Sequence, residues 1–244
     1  TPLDGAPEKV VKRVVHDMNK SYYPAKTIVP STEIVHDRVT LEVFRGCIRG
    51  CRFCQAGYVY RPVRCRSREQ LAEYAKAAVQ DSGYQEMTLS SLSTSDYPEL
   101  VGLCDDLEAF CGEKHVNLSL PSRRADNFSM ELMQRLQNGR KAGLTFAPEA
   151  GTQRLRDAIN KNVTEEELTE SLKTAFSGGW SSVKLYFMLG LPTETDEDVL
   201  GIAEMANHAV HTWREYASNK NRGLRLTVST SWFVPKPFTA FQWE

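Results

Sequence analysis

The stretch VTLEVFRGCIRGCRFCQAG, residues 39–57, decides the fold of this chain. Residues 39–44 are mostly apolar or β-branched, which predicts a buried strand that runs directly into a loop. Cys47, Cys51 and Cys54 lie in that loop, and the rest of the chain offers no obvious fourth partner. Parallel α/β sheets bind their ligands at the carboxyl ends of the strands. We therefore expect the cysteine loop to occupy the active-site position.

Three thiols in one loop indicate a metal centre with one open position. A structural zinc site is usually closed by four ligands, and a four-iron cluster usually takes four thiolates. With three protein ligands, one metal position stays available for a substrate or cofactor. The alternative is a closed zinc site that borrows Cys65, a histidine or a carboxylate. Cys104 and Cys111 fit small residues on a helix, because free cysteine is commonly buried.

Strands and helices alternate along the rest of the chain. Strands are predicted at 39–44, 86–91, 116–121, 144–148, 182–190 and 224–233. Helices are predicted at 67–84, 96–112, 129–138, 164–179 and 195–217. This order predicts parallel strands with right-handed crossovers. Six strands are too few for a closed eight-stranded barrel, so the predicted fold is α/β, a six-stranded parallel (β/α)6 partial TIM barrel.

Cap residues set the expected helix ends. Ser67 with Gln70 and Thr164 with Glu167 have the spacing of capping boxes, and Asp96 is the predicted cap of the second helix. Gly83, and Gly178 with the glycine after it, fit helix stops.

Composition excludes several classes of protein. The 244 residues are 41% hydrophobic and carry a net charge of -1, which favours one sizeable α/β domain and gives no global field for nucleic acid or membrane. No apolar run of about 20 residues and no signal peptide is visible. The sequence therefore predicts a cytoplasmic protein with no membrane partner, whose six cysteines stay reduced.

The cysteine motif resembles a known family signature. Its C-x3-C-x2-C spacing, with Phe53 before the last cysteine, looks like that of the radical S-adenosylmethionine (SAM) superfamily. The resemblance implies a [4Fe-4S] cluster held by Cys47, Cys51 and Cys54, with SAM chelating the open iron. It further implies that one electron cleaves SAM to a 5′-deoxyadenosyl radical, which abstracts a hydrogen atom from a substrate.

Strand ends further along resemble the SAM-binding motifs of that family. In SSLSTSDY (90–97), Ser91, Ser93 and Thr94 match the small-residue turn that meets the methionyl amine, although such residues are also ordinary turn formers. In the stretch after strand 4, Glu149 would hold the methionyl amine or ribose. Lys161, twelve positions on, would pair with the methionyl carboxylate.

Two further points complete the expected SAM site. The family more often has arginine at the position of Lys161, so Arg154 and Arg156 compete for that role. Tyr186 and Met188 match residues that flank the adenine, and they share one face of their strand. Core packing alone would also explain both residues.

Residues 1–38 do not fit the barrel unit, and residues 39–244 are the predicted radical SAM core domain. The first segment carries one helical pattern and then a proline-punctuated extended stretch, which suggests a linker from a missing N-terminal domain. Together with VPKPFTAFQWE near the end of the chain, the motifs resemble a largely uncharacterised subgroup that often has a cobalamin-binding-like domain there. Cobalamin is therefore expected only through a missing domain.

Arginines are concentrated around the cysteine loop. Seven lie between residues 45 and 68 with no acidic residue among them until Glu69, and Arg123 and Arg124 follow strand 3. This suggests an anionic substrate such as RNA or a nucleotide, whereas pairing with acidic residues is the structural alternative. The resemblance also implies a one-electron reductant such as flavodoxin or ferredoxin. The function favoured is a radical SAM enzyme, with methylation or methylthiolation among its reactions; the alternative is an iron–sulfur electron carrier or scaffold.

Overall fold

Two parallel three-stranded sheets form the framework of a computed structural model that describes residues 3–24, 26–119, 143–221 and 223–244. The strands are β1 (Val39–Glu42), β2 (Phe44–Arg45), β3 (Arg64–Cys65), β4 (Glu86–Ser90), β5 (Asn117–Ser119), β6 (Leu144–Glu149), β7 (Ser182–Leu189) and β8 (Arg225–Trp232). One sheet has the order β1-β4-β5 and the other has the order β6-β7-β8. The short strands β2 and β3 pair antiparallel.

Six α-helices within the described residues connect or flank these strands. They are α1 (Gln55–Val59), α2 (Arg68–Ser82), α3 (Leu100–Lys114), α4 (Gln153–Ala158), α5 (Glu165–Ser177) and α6 (Asp196–Tyr216). Single 3-10 turns cover Met18–Lys20 and Thr94–Asp96. None of the helices in the described ranges combines the length and apolar character needed to span a bilayer.

The helices cover one face of each sheet. In the first half, Leu41 and Leu89 pack with helix residues such as Leu71 and Leu103. In the second half, the buried strand residues Phe146, Val183, Leu185 and Phe187 pack against α5 and α6. These two apolar clusters provide most of the burial that orders the sheets.

The opposite face of the sheets, here called the open face, is mostly polar. Side chains alternate along a strand, so residues between the buried ones point to this face. Its members in the described strands include Thr40, Glu42, Glu86, Thr88, Ser90, Thr145, Lys184, Tyr186, Met188, Thr227 and Ser229. Within the described residues the two large apolar clusters therefore lie on the helix side of the sheets, and the open face presents mostly polar side chains.

The α/β class with parallel strands is confirmed, but one continuous six-stranded sheet is not. Within the described residues the six parallel strands form two separate sheets of three. The predicted helix at 129–138, and residues 120–121 at the end of the third predicted strand, lie outside the described residues. The β2–β3 ribbon and α1 were missed, because each is too short to show a hydrophobic period.

The helix caps are mostly as predicted. Ser67 accepts a hydrogen bond from the backbone N–H of Gln70, and Thr164 with Glu167 forms a complete capping box. Asp96 is not the cap of α3, which begins at Leu100. Pro98 disfavours the helical conformation at Tyr97, so the chain makes a 3-10 turn before the helix starts.

The segment before β1 is tied to the domain by backbone carbonyls. Arg64 and Arg66 donate to the carbonyls of Val15 and Met18, and the Met18 side chain is buried. Lys12 donates to the carbonyl of Val59 at 2.8 Å. The helix predicted in this segment is absent from its described residues apart from the Met18–Lys20 turn, and its contacts place it beside β3 and α2.

Candidate functional site

The cysteine loop follows β2 and is shaped by two close backbone approaches. Gly46 has φ +94°, and a β-carbon there would lie 2.8 Å from the carbonyl oxygens of Tyr60 and Pro62. A β-carbon at Gly50 would lie 2.8 Å from Nδ2 of Asn160. Larger residues at these two positions would therefore displace the loop.

The three predicted ligands lie on this one loop. Cys51 is buried, while Cys47 and Cys54 are half-buried. The backbone N–H of Arg49 points at Sγ of Cys47, 3.4 Å away, and the N–H of Cys54 bonds the carbonyl of Cys51 at 3.1 Å. The side chains do not converge as a ligand set, nor does any other group of three His, Cys, Asp or Glu side chains among the described residues. The backbone brings the thiols into one loop, and χ1 rotation sets where each sulfur lies.

The other cysteines lie elsewhere. Cys104 and Cys111 are buried on α3, as predicted, and burial raises the pKa of the Cys111 thiol to about 11. Cys65 lies on β3 opposite Phe44. Partial burial raises the pKa of its thiol, and the negative charge of Glu99 adds a smaller increase. Cys65 is thus on β3 and outside the cysteine loop that carries the three predicted ligands.

A turn after α4 holds the cysteine loop from the other half of the domain. Nδ2 of Asn160 donates to the carbonyl of Gly50 at 2.7 Å. Arg52 donates through its backbone N–H to Ile159 at 3.0 Å and through Nη1 to Ala158 at 2.6 Å. The cysteine loop is therefore fixed to the segment that precedes Lys161.

Glu149 and Lys161 form an ion pair beside the cysteine loop. Their Oε1 and Nζ atoms are 2.9 Å apart, and their side chains are only 16% and 11% exposed. The Lys161 ammonium also lies 5.9 Å from the centre of the Phe53 ring. Glu149 has φ +71°, which is uncommon for a residue with a side chain. The structure therefore brings Phe53, Glu149 and Lys161 together.

The two arginines that compete with Lys161 have other partners. Arg154 pairs with Asp198 and donates to the carbonyl of Thr193 at 2.8 Å. Arg156 is buried and donates to the carbonyls of Ala150, Gly151 and Val163. Desolvation lowers the pKa of its guanidinium. Lys161 is therefore the basic residue of this motif that faces Glu149.

Asp198 holds the turn after β6 in place. Burial alone would raise the pKa of Asp198, but hydrogen bonds from Thr152, Thr195 and Arg154 outweigh it and lower that pKa to about 2. A β-carbon at Gly151 would collide with the carbonyl oxygen of Asp198. This contact fixes the start of α4 against α6, and with it the end of the strand that carries Glu149.

The predicted amine-binding turn is built largely on its own hydrogen bonds. Oγ of Ser91 lies 3.0 Å from Oγ1 of Thr94 and accepts from the backbone N–H of Ser93 at 3.2 Å. The hydroxyl of Ser93 is buried and has no hydrogen-bond partner among the described residues. Ser91 and Thr94 therefore shape the turn, and Ser93 keeps a hydroxyl available.

The same turn is joined to the cysteine loop by an ion pair. Nε of Arg49 donates to Oδ2 of Asp96 at 3.0 Å, and the Asp96 side chain is only 4% exposed. Arg61 donates to the carbonyl of Arg49 at 2.7 Å. The end of β4 and the cysteine loop are therefore one connected unit.

The predicted adenine-flanking residues occupy two depths. Met188 packs with Phe53 in a small apolar cluster around Leu191 and Phe241. Tyr186 lies two residues earlier on the open face and is 39% exposed. The backbone N–H of Phe241 bonds the carbonyl of Arg52, so the chain after β8 reaches the cysteine loop. Met188 is thus in the apolar cluster that contains Phe53, while Tyr186 lies two residues nearer the start of β7.

Comparison with known proteins assigns this chain to a family. The model of the Radical SAM superfamily matches residues 41–206, a stretch that includes the cysteine loop, Glu149, Lys161 and β7. This chain belongs to the radical SAM superfamily. Membership makes it an enzyme and implies a [4Fe-4S] cluster and SAM as its cofactors. Three thiols in one loop are donors that such a cluster would accept.

Relatives with curated sequences are longer than this chain. An uncharacterised protein of Methanocaldococcus jannaschii is 37% identical over 204 residues, which are 84% of this chain and 42% of that protein. The tRNA-2-methylthio-N(6)-dimethylallyladenosine synthase of Desulforamulus reducens is 26% identical over 171 residues, 64% of this chain and 36% of the enzyme. The chain spans less than half the length of these curated relatives.

Solved radical SAM structures share the fold. The cobalamin-containing methyltransferase TsrM from Kitasatospora setae superposes with a TM-score of 0.61 at 13% identity, covering 84% of this chain and 38% of TsrM. Coproporphyrinogen III oxidase from Escherichia coli gives a TM-score of 0.53 at 15% identity, covering 84% of this chain and 45% of the oxidase. At these identities the likeness concerns the fold alone.

The arginines around the radical SAM cysteine loop all have partners within the protein. Arg45, Arg49 and Arg68 pair with Glu42, Asp96 and Asp106, while Arg52, Arg61, Arg64 and Arg66 donate to backbone carbonyls. Arg123 and Arg124 lie outside the described residues. These arginines therefore bind acidic side chains and backbone carbonyls of the protein itself. The expectation of an anionic substrate must be supported by other residues.

Sequence reasoning missed the contacts that join the radical SAM motifs to one another. Asn160 and the Arg49–Asp96 pair act across long separations in the chain, which no local pattern reveals. A weak signal was present in the tripeptide NKN (160–162), because asparagine is one of the few residues that tolerates the left-handed conformation found at 160 and 162.

Proposed function

We propose that residues 39–244 are the catalytic core of a radical SAM enzyme in which Cys47, Cys51 and Cys54 hold the cluster. The single observation that carries the proposal is the Glu149–Lys161 ion pair, which lies beside Phe53 and the cysteine loop at the ends of parallel strands. The reduced cluster supplies one electron for cleavage of SAM. The remaining residues bind and orient SAM and exclude water.

Glu149 and Lys161 hold the two charged ends of the methionyl group in this proposal. The carboxylate of Glu149 accepts hydrogen bonds from the methionyl amine, and the ammonium of Lys161 pairs with the methionyl carboxylate. In the protein alone these two side chains neutralise each other at 2.9 Å. Binding SAM exchanges one internal ion pair for two intermolecular contacts of the same kind, so no buried charge is left unpaired.

The other site residues contact the rest of SAM. Ser93 offers its buried hydroxyl, which has no partner in the described part of the chain, at the turn that meets the amine, while Ser91 and Thr94 keep that turn in shape. Phe53 and Met188 provide an apolar wall, and Tyr186 flanks the adenine below them. We propose that all six parallel strands surround this site as a (β/α)6 partial barrel, with the open face inside.

The whole protein is proposed to modify a larger substrate. Among relatives, one from Desulforamulus reducens is a tRNA methylthiolating synthase by name, and one from Methanocaldococcus jannaschii is provisionally named a methylthiotransferase. These names favour methylation or methylthiolation of RNA or protein, with flavodoxin or ferredoxin as electron donor. Residues 1–38 would connect the core to an N-terminal domain, and any cobalamin would bind there, as a separate part of the protein.

Iron content after anaerobic reconstitution tests the ligand assignment. Each of Cys47→Ala, Cys51→Ala and Cys54→Ala should lose most of the cluster iron, because thiolate ligands supply the binding free energy. Cys65→Ala is the matched control and should keep the iron of the wild type. SAM added to the reduced wild type should shift the electron paramagnetic resonance spectrum of the cluster. Equal iron loss in Cys65→Ala, or a spectrum indifferent to SAM, would contradict the proposed open iron.

A further inference from the structure

The open face carries two cations that the SAM site does not use. Lys184 lies in the middle of β7, half-buried, and its ammonium is 4.5 Å from the centre of the Tyr186 ring. Arg225 begins β8 opposite Ser182 and lies on the same face as Lys184. Within the described part of the chain, neither side chain forms an ion pair or a side-chain hydrogen bond. Most other arginines described there do form one or the other.

The acidic residues of the open face are already neutralised. Glu42 receives two hydrogen bonds from Arg45, at 2.8 and 2.7 Å, and Glu86 lies 3.6 Å from Arg38. The third acid near this face, at the end of β6, is paired in the SAM site. Across the described strands the open face therefore keeps an uncompensated positive charge from Lys184 and Arg225.

The surroundings of Lys184 suit an oxygen-rich anion. In the parallel register, Lys184 lies between Thr145 of β6 and Thr227 of β8, so hydroxyl groups flank the ammonium on both sides. A step of two residues along a strand is about 6.6 Å, which places this layer just below Tyr186, the proposed adenine contact. A substrate reaching SAM from inside the open face would meet this layer.

We propose that Lys184, with Arg225, binds a phosphate group of the substrate on the open face. The inference rests on the proposed function, since it assumes that SAM occupies the strand ends above Tyr186. Two cations favour a dianionic phosphate over a singly charged carboxylate. Arginine contributes its planar fork of donors, and lysine a compact charge that the threonine hydroxyls supplement.

Protection of Lys184 from chemical modification tests the site. The reconstituted full chain, saturated with SAM, is briefly acetylated in the presence of inorganic phosphate, adenosine monophosphate, adenosine or acetate, and modification of each lysine is quantified by mass spectrometry. Phosphate and adenosine monophosphate should reduce labelling of Lys184 several-fold and leave labelling of the exposed Lys76 unchanged. Adenosine and acetate at the same concentrations should give no protection.

Matched variants separate binding from local accessibility. In equilibrium dialysis, Lys184→Met and Arg225→Gln should each weaken binding of adenosine monophosphate about tenfold, the usual effect of losing one charge-assisted contact. Lys76→Met and Arg214→Gln change the same residue types on exposed helix surfaces and should bind as the wild type does. Circular dichroism of all four variants checks that they are folded.

The outcomes distinguish this site from the proposed function. Equal protection by adenosine and adenosine monophosphate, or unchanged binding by both open-face variants, would overturn the phosphate site. Formation of 5′-deoxyadenosine by the same wild-type preparation is measured separately, without nucleotide. Cleavage of SAM without protection of Lys184 refutes the phosphate site alone, whereas protection without cleavage leaves the phosphate site standing and refutes the proposed radical chemistry.

Discussion

Asn160 should control how firmly the cysteine loop is held, and three substitutions can separate the contributions of its side chain. Its Nδ2 donates to the carbonyl of Gly50 at 2.7 Å, and its backbone has φ +54°. Replacement by alanine removes the hydrogen bond and places a less tolerant residue in the left-handed region. Replacement by glycine removes the same bond but suits the backbone, and aspartate loses the donor while tolerating the conformation.

The expected costs follow from these differences. Losing a hydrogen bond to a half-buried carbonyl costs about 0.5–1.5 kcal/mol, and the left-handed conformation costs an ordinary residue about 1–2 kcal/mol. Asn160→Ala should therefore lower the free energy of unfolding by about 1.5–3.5 kcal/mol, and Asn160→Gly by only about 1 kcal/mol. The free energy of unfolding of Asn160→Asp should be close to that of Asn160→Gly, or slightly lower if the carboxylate repels the carbonyl of Gly50.

Urea denaturation of the metal-free chain measures these costs without involving the cluster. A second readout is SAM binding after reconstitution, because the same turn positions Lys161. All three variants should weaken SAM binding, since each loses the bond to the cysteine loop. Equal stability of wild type and all three variants, together with unchanged SAM binding, would refute the idea that Asn160 positions this loop.

Three further predictions concern the framework around the site. Asp198→Asn should destabilise the chain by about 2 kcal/mol near neutral pH, because buried donors lose a charged acceptor. The pKa of Asp198 is lowered from 3.8 to about 2. The stabilisation by the Asp198 carboxylate is therefore complete above about pH 4 and is lost as the pH falls through 2. The difference in stability between wild type and variant, measured by thermal unfolding, should narrow over that range. A gap that is constant between pH 5 and 2 would contradict this assignment. Gly151→Ala should cost about 1–3 kcal/mol, since its β-carbon would meet the backbone of α6, whereas Gly112→Ala on α3 has open space and should be neutral or slightly stabilising. Similar losses for the two alanine variants in urea would show that the close approach at Gly151 is unimportant.

Local patterns were enough to predict most of the fold. Apart from the helical pattern in residues 1–38, the predicted strands and helices in the described ranges start within a few residues of observed ones, because buried faces and caps leave a periodic or paired signal. Asp96 shows where such reasoning fails. Its type and position suit a helix cap, but its partner is Arg49, 47 residues earlier, and no local rule contains that contact.

The candidate site likewise contains residues that local sequence patterns predict and residues that only the folded structure points to. Motif spacing in the sequence predicts Cys47, Glu149 and Lys161 as site residues, and the structure brings Glu149 and Lys161 together as an ion pair. The role proposed for Lys184 has no signal in the sequence, because it depends on which open-face acids are already neutralised. That information exists only once the strands are in register.

Reductive cleavage of SAM by the reconstituted chain tests the central claim most directly. Wild type, Glu149→Gln and Lys161→Met are compared with Glu73→Gln and Lys76→Met, which make the same changes on the exposed side of α2. The site variants should retain cluster iron, bind SAM roughly tenfold more weakly and form 5′-deoxyadenosine more slowly, while the α2 variants match the wild type. Equal SAM binding and cleavage in all five proteins would contradict the assigned roles of Glu149 and Lys161, and absence of 5′-deoxyadenosine from the reduced wild type would contradict the proposed radical chemistry.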